Sequence, residues 1–281
     1  MMNIALSWLQ AGLSGVYVTL ELSEELCSLR TDAMLTGMST KDIRKDIETT
    51  ELKVKMVGKK SGKYRVKGLP AQSNVNDIRA YLKEYEIKCG KKVDVLLVDY
   101  MDLLMPIGKK ISAENLFVKD KYVSEELRNL AMEKQCIFVT AAQLNRGAVE
   151  EVEYDHSHIS GGLSKIQTAD NVFGIFTSRN MRERGKYQIQ LMKTRSSSGV
   201  GQKIDLDFNI DTLRITDPGE AGQTDYSGGD NGSNSRSQSI MNTLQRTSNV
   251  SDDPTSGSPV RVPKAQVEGT KLRNLLNNLE V

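Results

Sequence analysis

Three apolar runs in this chain each finish on a side chain suited to phosphate chemistry. Val16-Tyr17-Val18-Thr19-Leu20 delivers Glu21, Val95-Leu96-Leu97-Val98 delivers Asp99, and Phe138-Val139-Thr140-Ala141-Ala142 delivers Gln143. A carboxylate can orient and polarise a water molecule. A second carboxylate can hold Mg²⁺ through its water shell, and an amide can sense the γ-phosphate of a triphosphate. Asp99 alone reads equally well as a polar cap on a buried strand. Three such residues at three strand ends point further, because in open parallel sheets ligands gather beyond the C-terminal ends of the strands. The chemistry they suit together is hydrolysis of a nucleoside triphosphate.

The elements that must position these residues follow from the apolar periodicity. Met1, Ala5, Trp8 and Leu9 lie at i, i+4, i+7 and i+8, which predicts a helix over residues 1–12 that stops at Gly12. The pattern then predicts strands at 16–20, 93–99 and 136–141, with helices at 23–35, 75–88 and about 116–134. Continuous apolar strands alternating with helices imply an α/β fold, a mostly parallel sheet covered on both faces. Polar strands near 171–177, 186–193 and 202–208 read as an antiparallel extension. The stretch from Lys53 to Pro70 carries Lys53, Lys55, Lys59, Lys60, Lys63, Arg65 and Lys67 with no acid. Its first reading is a solvated, twisted hairpin edge protected by lysines, and its second is a surface for a polyanion.

With 281 residues and 38% hydrophobic content, the chain can bury a sizeable core. Cys27, Cys89 and Cys136 are odd in number and widely spaced, the pattern of reduced cysteines in a cytoplasmic protein. No secretory leader and no membrane span is predicted. His156 and His158 form an HxH without a third Cys or His nearby, so they read as loop residues rather than a metal site. The domain expectation is a catalytic domain over 1–216, a Gly/Ser/Asn/Asp-rich linker over 217–263, and an amphipathic tail helix over 264–281 bearing Val267, Leu272, Leu275, Leu276 and Leu279. A tail of this kind suits docking to a partner.

The segments TLELSEE, LLVDYMDLL, TAAQLNRG, SGGLSKIQTADNVFGI and LMKTRSSSGVG, in this order and spacing, resemble the C-terminal motor domain of DnaB-like, superfamily 4 replicative helicases, the phage members above all. The resemblance spans about residues 1–215. It implies a RecA-like P-loop NTPase core, ATP and Mg²⁺ as cofactors, and a hexamer that moves 5′ to 3′ along single-stranded DNA in a phage-infected bacterial cell. Glu21 would correspond to the catalytic glutamate, Asp99 to the Walker B acid and Gln143 to the γ-phosphate sensor. Lys193 and Arg195 would correspond to a basic pair that reaches the neighbouring subunit's nucleotide, with Arg195 as an arginine finger in trans. Without the resemblance, Lys193 and Arg195 read as a surface pair at a turn.

For DNA the resemblance points to central-channel loops, here the segments Gly108 to Lys121 and Arg146 to Lys165. Arg146, Gly161, Gly162 and Lys165 are the candidates, because glycines beside a cation can bring backbone N–H groups and one charge against a phosphate. The acidic AVEEVEYDHSH within the second segment would oppose DNA unless turned away. Primase or a helicase loader would be partners for the tail.

The family's P-loop would stand directly before MMNIALSWLQ, and no such motif occurs in these residues. The nearest sequences, Gly58-Lys59-Lys60-Ser61 and Gly62-Lys63-Tyr64, lack the strand-loop-helix context. The expectation is a fold incomplete at its N-terminus, lacking the first core strand, that binds ATP poorly on its own. A split gene whose other half supplies the N-terminal part, a truncated reading and a stand-alone protein without activity all remain open. So do a RecA-type recombinase and a non-catalytic chain that regulates an intact helicase.

Overall fold

The structure, a computed structural model, describes residues 1–108, 115–143, 163–196 and 198–219. They open with helix α1 (Met2–Gln10), strand β1 (Gly15–Thr19) and helices α2 (Glu24–Thr36), α3 (Thr40–Lys45) and α4 (Ile47–Gly58). Strand β2 (Tyr64–Gly68), helix α5 (Val75–Cys89), strand β3 (Val95–Asp99), a single 3₁₀ turn (Met101–Leu103), helix α6 (Leu116–Lys134) and strand β4 (Ile137–Thr140) follow. The remainder is α7 (Leu163–Thr168), β5 (Asn171–Phe176), α8 (Arg179–Glu183), β6 (Lys186–Thr194), β7 (Lys203–Phe208) and β8 (Ile215–Thr216). They belong to one compact unit, Met1–Thr224, while a second, Asp225–Val281, lies outside the described residues together with the expected linker and tail helix.

β1 to β4 form a parallel sheet in the order β2-β1-β3-β4. Its central strands are buried on both faces, which is why β1 and β3 read as unbroken apolar runs. Alternation divides them. Val16, Val18, Leu96 and Val98 pack with α5 and α6 through Ile78, Leu82, Leu127 and Leu130. Tyr17, Val95 and Leu97 pack on the other face with α1 and α2 through Leu6, Leu9, Cys27 and Met34. Each fully buried Leu or Val contributes about 1.5–3 kcal/mol of transfer free energy, so the central pair β1–β3 is the most strongly fixed part of the sheet.

Helix boundaries follow local chemistry. Ser23 caps α2 by accepting from Leu26 N–H, and the helix ends at Gly37 in the left-handed conformation, φ 67°. Asn74 and Asp77 form a reciprocal capping box at the start of α5. β5 to β8 form a separate antiparallel sheet in sequence order.

The basic stretch departs from the expected hairpin. Its first part is the end of α4, whose start is capped by the Asp46 carboxylate accepting from Thr49 N–H. Its second part is β2, an edge strand running parallel to β1. A parallel neighbour requires a crossover, and α2, α3 and α4 supply it.

Candidate functional site

Register puts the chemistry on one edge. Thr19 lies opposite both Gly68 and Asp99, and Val98 lies opposite Thr140, so the C-terminal ends of β1, β3 and β4 line up in a row. Glu21 follows β1 by two residues and Gln143 follows β4 by three.

Two threonines shape the turns beyond that row. The Thr19 hydroxyl donates to Leu22 O at 2.8 Å and accepts from Leu22 N–H at 3.0 Å, folding the turn that presents the exposed Glu21. The Thr140 hydroxyl donates to Val98 O at 2.8 Å and accepts from Met101 N–H at 3.2 Å, fastening the turn after Asp99. Leu20 N–H donates to Asp99 O at 2.9 Å, so the Glu21 turn is tied directly to the Asp99 strand end.

The side chain of Asp99 lies on the same face as those of Tyr17, Thr19 and Leu97, as a period of two in paired strands requires. Tyr17, 1% exposed, donates its phenol to Asp99 Oδ2. Burial, then that hydrogen bond, pushes the Tyr17 phenol far up, so it stays a donor at all working pH values. The other carboxylate oxygen has no hydrogen-bond or ion-pair partner among the described residues.

At the start of α1, no side chain caps the first N–H groups. Burial lowers the Met1 α-amino group, and the Asp99 carboxylate partly offsets that shift. Tyr100 completes the group: Gln143 Nε2 donates to its hydroxyl at 3.0 Å. Burial first, then the Glu21, Asp102 and Asp99 carboxylates, push the Tyr100 phenol up. Glu21, Asp99 and Gln143 therefore share one neighbourhood around Tyr100.

This donor set fits a Mg²⁺–triphosphate. Asp99 offers a free carboxylate oxygen for a metal-bound water, Glu21 and Gln143 are exposed, and uncapped helical N–H groups favour an anion. Among the described residues no group of three or more His, Cys, Asp or Glu side chains is arranged to hold a metal. Coordination through water by one acid needs no such cluster.

Lys193 and Arg195 stand elsewhere, at the end of β6 against the C-terminal end of α7. Lys193 Nζ donates to the carbonyls of Ile166, Gln167 and Ala169, and Arg195 Nη2 donates to Gln167 O at 2.8 Å. Arg128 of α6 donates to Thr168 O at 2.8 Å and to both Asp170 oxygens at 3.0 Å, and Arg195 pairs with Asp170 at 3.2 Å. Three cations thus satisfy the last carbonyls of a short helix, as its dipole favours. Burial, then the Arg195 charge, lowers the Lys193 ammonium. None of these contacts reaches Glu21, Asp99 or Gln143.

Lys165, expected against a DNA phosphate, is instead internal. Its side chain is 6% exposed and its ammonium pairs with Asp102 and, at 2.8 Å, with Asp120. Lys119 pairs with Asp120 at 3.3 Å and donates to Asp102 O. A buried ammonium needs such partners, and α7 is thereby fastened to α6 and to the turn after Asp99. Arg146, Gly161 and Gly162 lie outside the described residues, as do His156 and His158.

Sequence reading missed Tyr17, Tyr100, Thr19 and Thr140. A signal existed for Tyr100, which directly follows the strand-end acid. Tyr17 was hidden because an aromatic in an apolar strand reads as core.

The model of the family described as DnaB-like helicase C-terminal domain matches residues 1–217. A DnaB-like replicative helicase of Enterobacteria phage T4 is 29% identical over 199 residues, covering 69% of this chain and 42% of that protein. The chain therefore spans about two fifths of that relative's length. Among solved structures, a DnaB-like replicative helicase studied with its interactions with primase aligns at a TM-score of 0.60 and 18% identity, over 74% of this chain and 52% of that one. A second solved structure, of an ATPase domain, aligns at a TM-score of 0.60 and 18% identity, over 77% of this chain and 80% of that one. At this identity the two structures speak for the shared fold.

Proposed function

The chain belongs to the DnaB-like helicase C-terminal domain family, and from that premise we propose that it is the motor portion of an ATP-driven replicative DNA helicase that works as a hexamer on single-stranded DNA. The observation that carries this reading is the parallel register aligning the ends of β1, β3 and β4, which gathers Glu21, Asp99 and Gln143 on one edge.

In this reading Glu21 polarises the attacking water, and Asp99, held by Tyr17, anchors the water shell of Mg²⁺. Bound Mg²⁺ supplies charge neutralisation on the phosphates. Gln143 reports the γ-phosphate, with Tyr100 fixing its amide. Lys193 and Arg195 serve the nucleotide of the next subunit in the ring, where the planar guanidinium grips phosphate. To do so they exchange the α7 carbonyls and Asp170 for phosphate oxygens. DNA contact falls to Arg146 and the Gly161-Gly162 segment, without Lys165, whose charge is already matched by two aspartates.

A backbone cradle for the phosphates is the remaining requirement, and no Gly-x-x-x-x-Gly-Lys-Ser/Thr sequence occurs in the 281 residues. Among the described residues β4 has no strand on its outer side, and Ile137 on it is 46% exposed. An extended segment that pairs with β4 and leads into a P-loop would complete the site by strand addition. Primase, named for one structural relative, is a candidate partner of the assembled protein.

The test is binding of a fluorescent ATP analogue to the chain alone and after co-expression with a polypeptide carrying a P-loop strand. Weak binding alone and tight binding by the co-assembled pair supports the reading. Tight binding by the chain alone overturns the need for a second piece.

A further inference from the structure

At the end of the parallel sheet opposite the strand-end acids, two loops carry the same tripeptide. Gly58-Lys59-Lys60 runs from the last residue of α4, and Gly90-Lys91-Lys92 follows α5. Both are brought to one place by Ser14. Lys63 N–H donates to Ser14 Oγ at 3.1 Å, while Ser14 N–H donates to Asp94 Oδ2 at 2.8 Å. The first loop is stitched down further, with Gly62 N–H on Leu9 O at 3.0 Å and Lys60 N–H on Val57 O at 3.1 Å. Gly62 presses so closely on Leu13 that an added Cβ would lie 2.0 Å from its carbonyl oxygen. Lys63 Nζ reaches across to Cys89 O at 3.4 Å, joining the two loops.

Lys59, Lys60, Lys91 and Lys92 are all exposed. A dipole argument accounts for Lys63, which meets a carbonyl at the end of α5. It leaves four ammonium groups unexplained, for among the described residues Lys59, Lys60, Lys91 and Lys92 have no ion pair and no side-chain hydrogen bond. Asp94, which follows the second loop, is turned to the Ser14 amide. Exposed lysines on two loops tied together through Ser14 make a positive rim that attracts a polyanion.

We propose that this rim is a second DNA-contacting surface, a docking site for the phosphate backbone of duplex DNA. It rests on the reading of the chain as a DNA motor for the identity of the polyanion. Duplex rather than single strand follows from composition. Neither loop contains an aromatic side chain on which unpaired bases could stack, whereas the duplex carries the denser line of phosphates. The surface is distinct from the segments assigned to single-stranded DNA, and it reads no sequence because lysines on phosphates position without specifying.

The experiment is fluorescence anisotropy of the full 281-residue chain with a labelled duplex and with one of its strands, across salt from about 50 to 200 mM. The combined variant Lys59→Ala, Lys60→Ala, Lys91→Ala, Lys92→Ala is expected to weaken duplex binding and to flatten its salt slope by about 3.6, near 0.9 for each phosphate no longer neutralised. The matching Lys→Arg variant is expected to bind as the parent does. Lys41→Ala with Lys45→Ala, on α3, is expected to leave the slope unchanged. A parent slope in the four-alanine variant overturns the proposal, and so does a parent that binds the single strand more tightly than the duplex through these same lysines. If Arg146→Ala alone removes DNA binding while the lysine variant binds normally, this surface is ruled out and the motor reading stands. If duplex binding depends on the lysines but the co-assembled protein hydrolyses no ATP, the motor reading falls and this surface stands.

Discussion

The amide of Gln143 donates to the phenol oxygen of Tyr100 at 3.0 Å, joining the polar residue beyond β4 to the residue that follows Asp99 on β3. The bond links a residue assigned to the γ-phosphate with the turn assigned to the metal. Tyr100→Phe keeps the ring and removes the acceptor. Because Gln143 is exposed, the expected loss of stability is below about 1 kcal/mol, checked by urea unfolding. In the co-assembled helicase the same variant is expected to retain ATP binding and lose most of the DNA stimulation of hydrolysis.

Tyr17→Phe tests the support beneath Asp99. The phenol is buried and its acceptor is charged, so removing the hydroxyl is expected to cost about 1.5–3 kcal/mol. The midpoint of urea unfolding should fall with an unchanged m-value. A variant as stable as the parent would mean that the hydroxyl is not an effective partner of Asp99.

Lys165→Met takes from Asp102 and Asp120 the cation they share and leaves Asp120 with Lys119 alone. The expected destabilisation is about 3–5 kcal/mol. Adding Asp120→Asn should recover part of it, and the double variant would then be less destabilised than the sum of the single ones. Strict additivity would show that the cluster does not act as a unit.

Much of the fold is legible in the sequence because strands buried on both faces show as continuous apolar runs of strand length. The runs ending at Asp99 and at Thr140 could be assigned from apolar content alone. The basic stretch could not. Its lysines dominate the composition, while the signals for α4 and β2 are an Asp46 cap and a pairing with β1 set by tertiary contacts. The placement of Glu21, Asp99 and Gln143 just beyond three strand ends was legible because periodicity defines those chain positions. The partners of Lys165 were not, since Asp102 and Asp120 lie 63 and 45 residues away in sequence and come together only through packing of α6 on α7.

Acidification tests the outer sheet. The Lys186 hydrogen bond, then the Gly219 N–H, hold Asp207 below its ordinary value of 3.8. On lowering the pH the unfolded chain therefore takes up this proton first. The stabilisation is complete above the ordinary value and is lost as pH falls through the lower folded value. Asp207→Asn should reduce stability near neutral pH and flatten its dependence on pH in the acid range, read from urea midpoints. An unchanged acid limb would exclude the ion pair as its source.

The decisive measurement is single-stranded-DNA-stimulated ATP hydrolysis by the chain co-expressed with a P-loop-bearing polypeptide, comparing parent, Glu21→Gln, Arg195→Ala and a mixture of the two variants. A nucleotide site shared between subunits predicts that each variant alone loses at least about a hundredfold in rate. It also predicts that mixing restores activity at about a quarter of the interfaces, those where an intact Glu21 meets an intact Arg195 from its neighbour in the ring. Full activity of Glu21→Gln, or a mixture as inactive as its parts, would contradict a shared site with Glu21 as the water-activating acid.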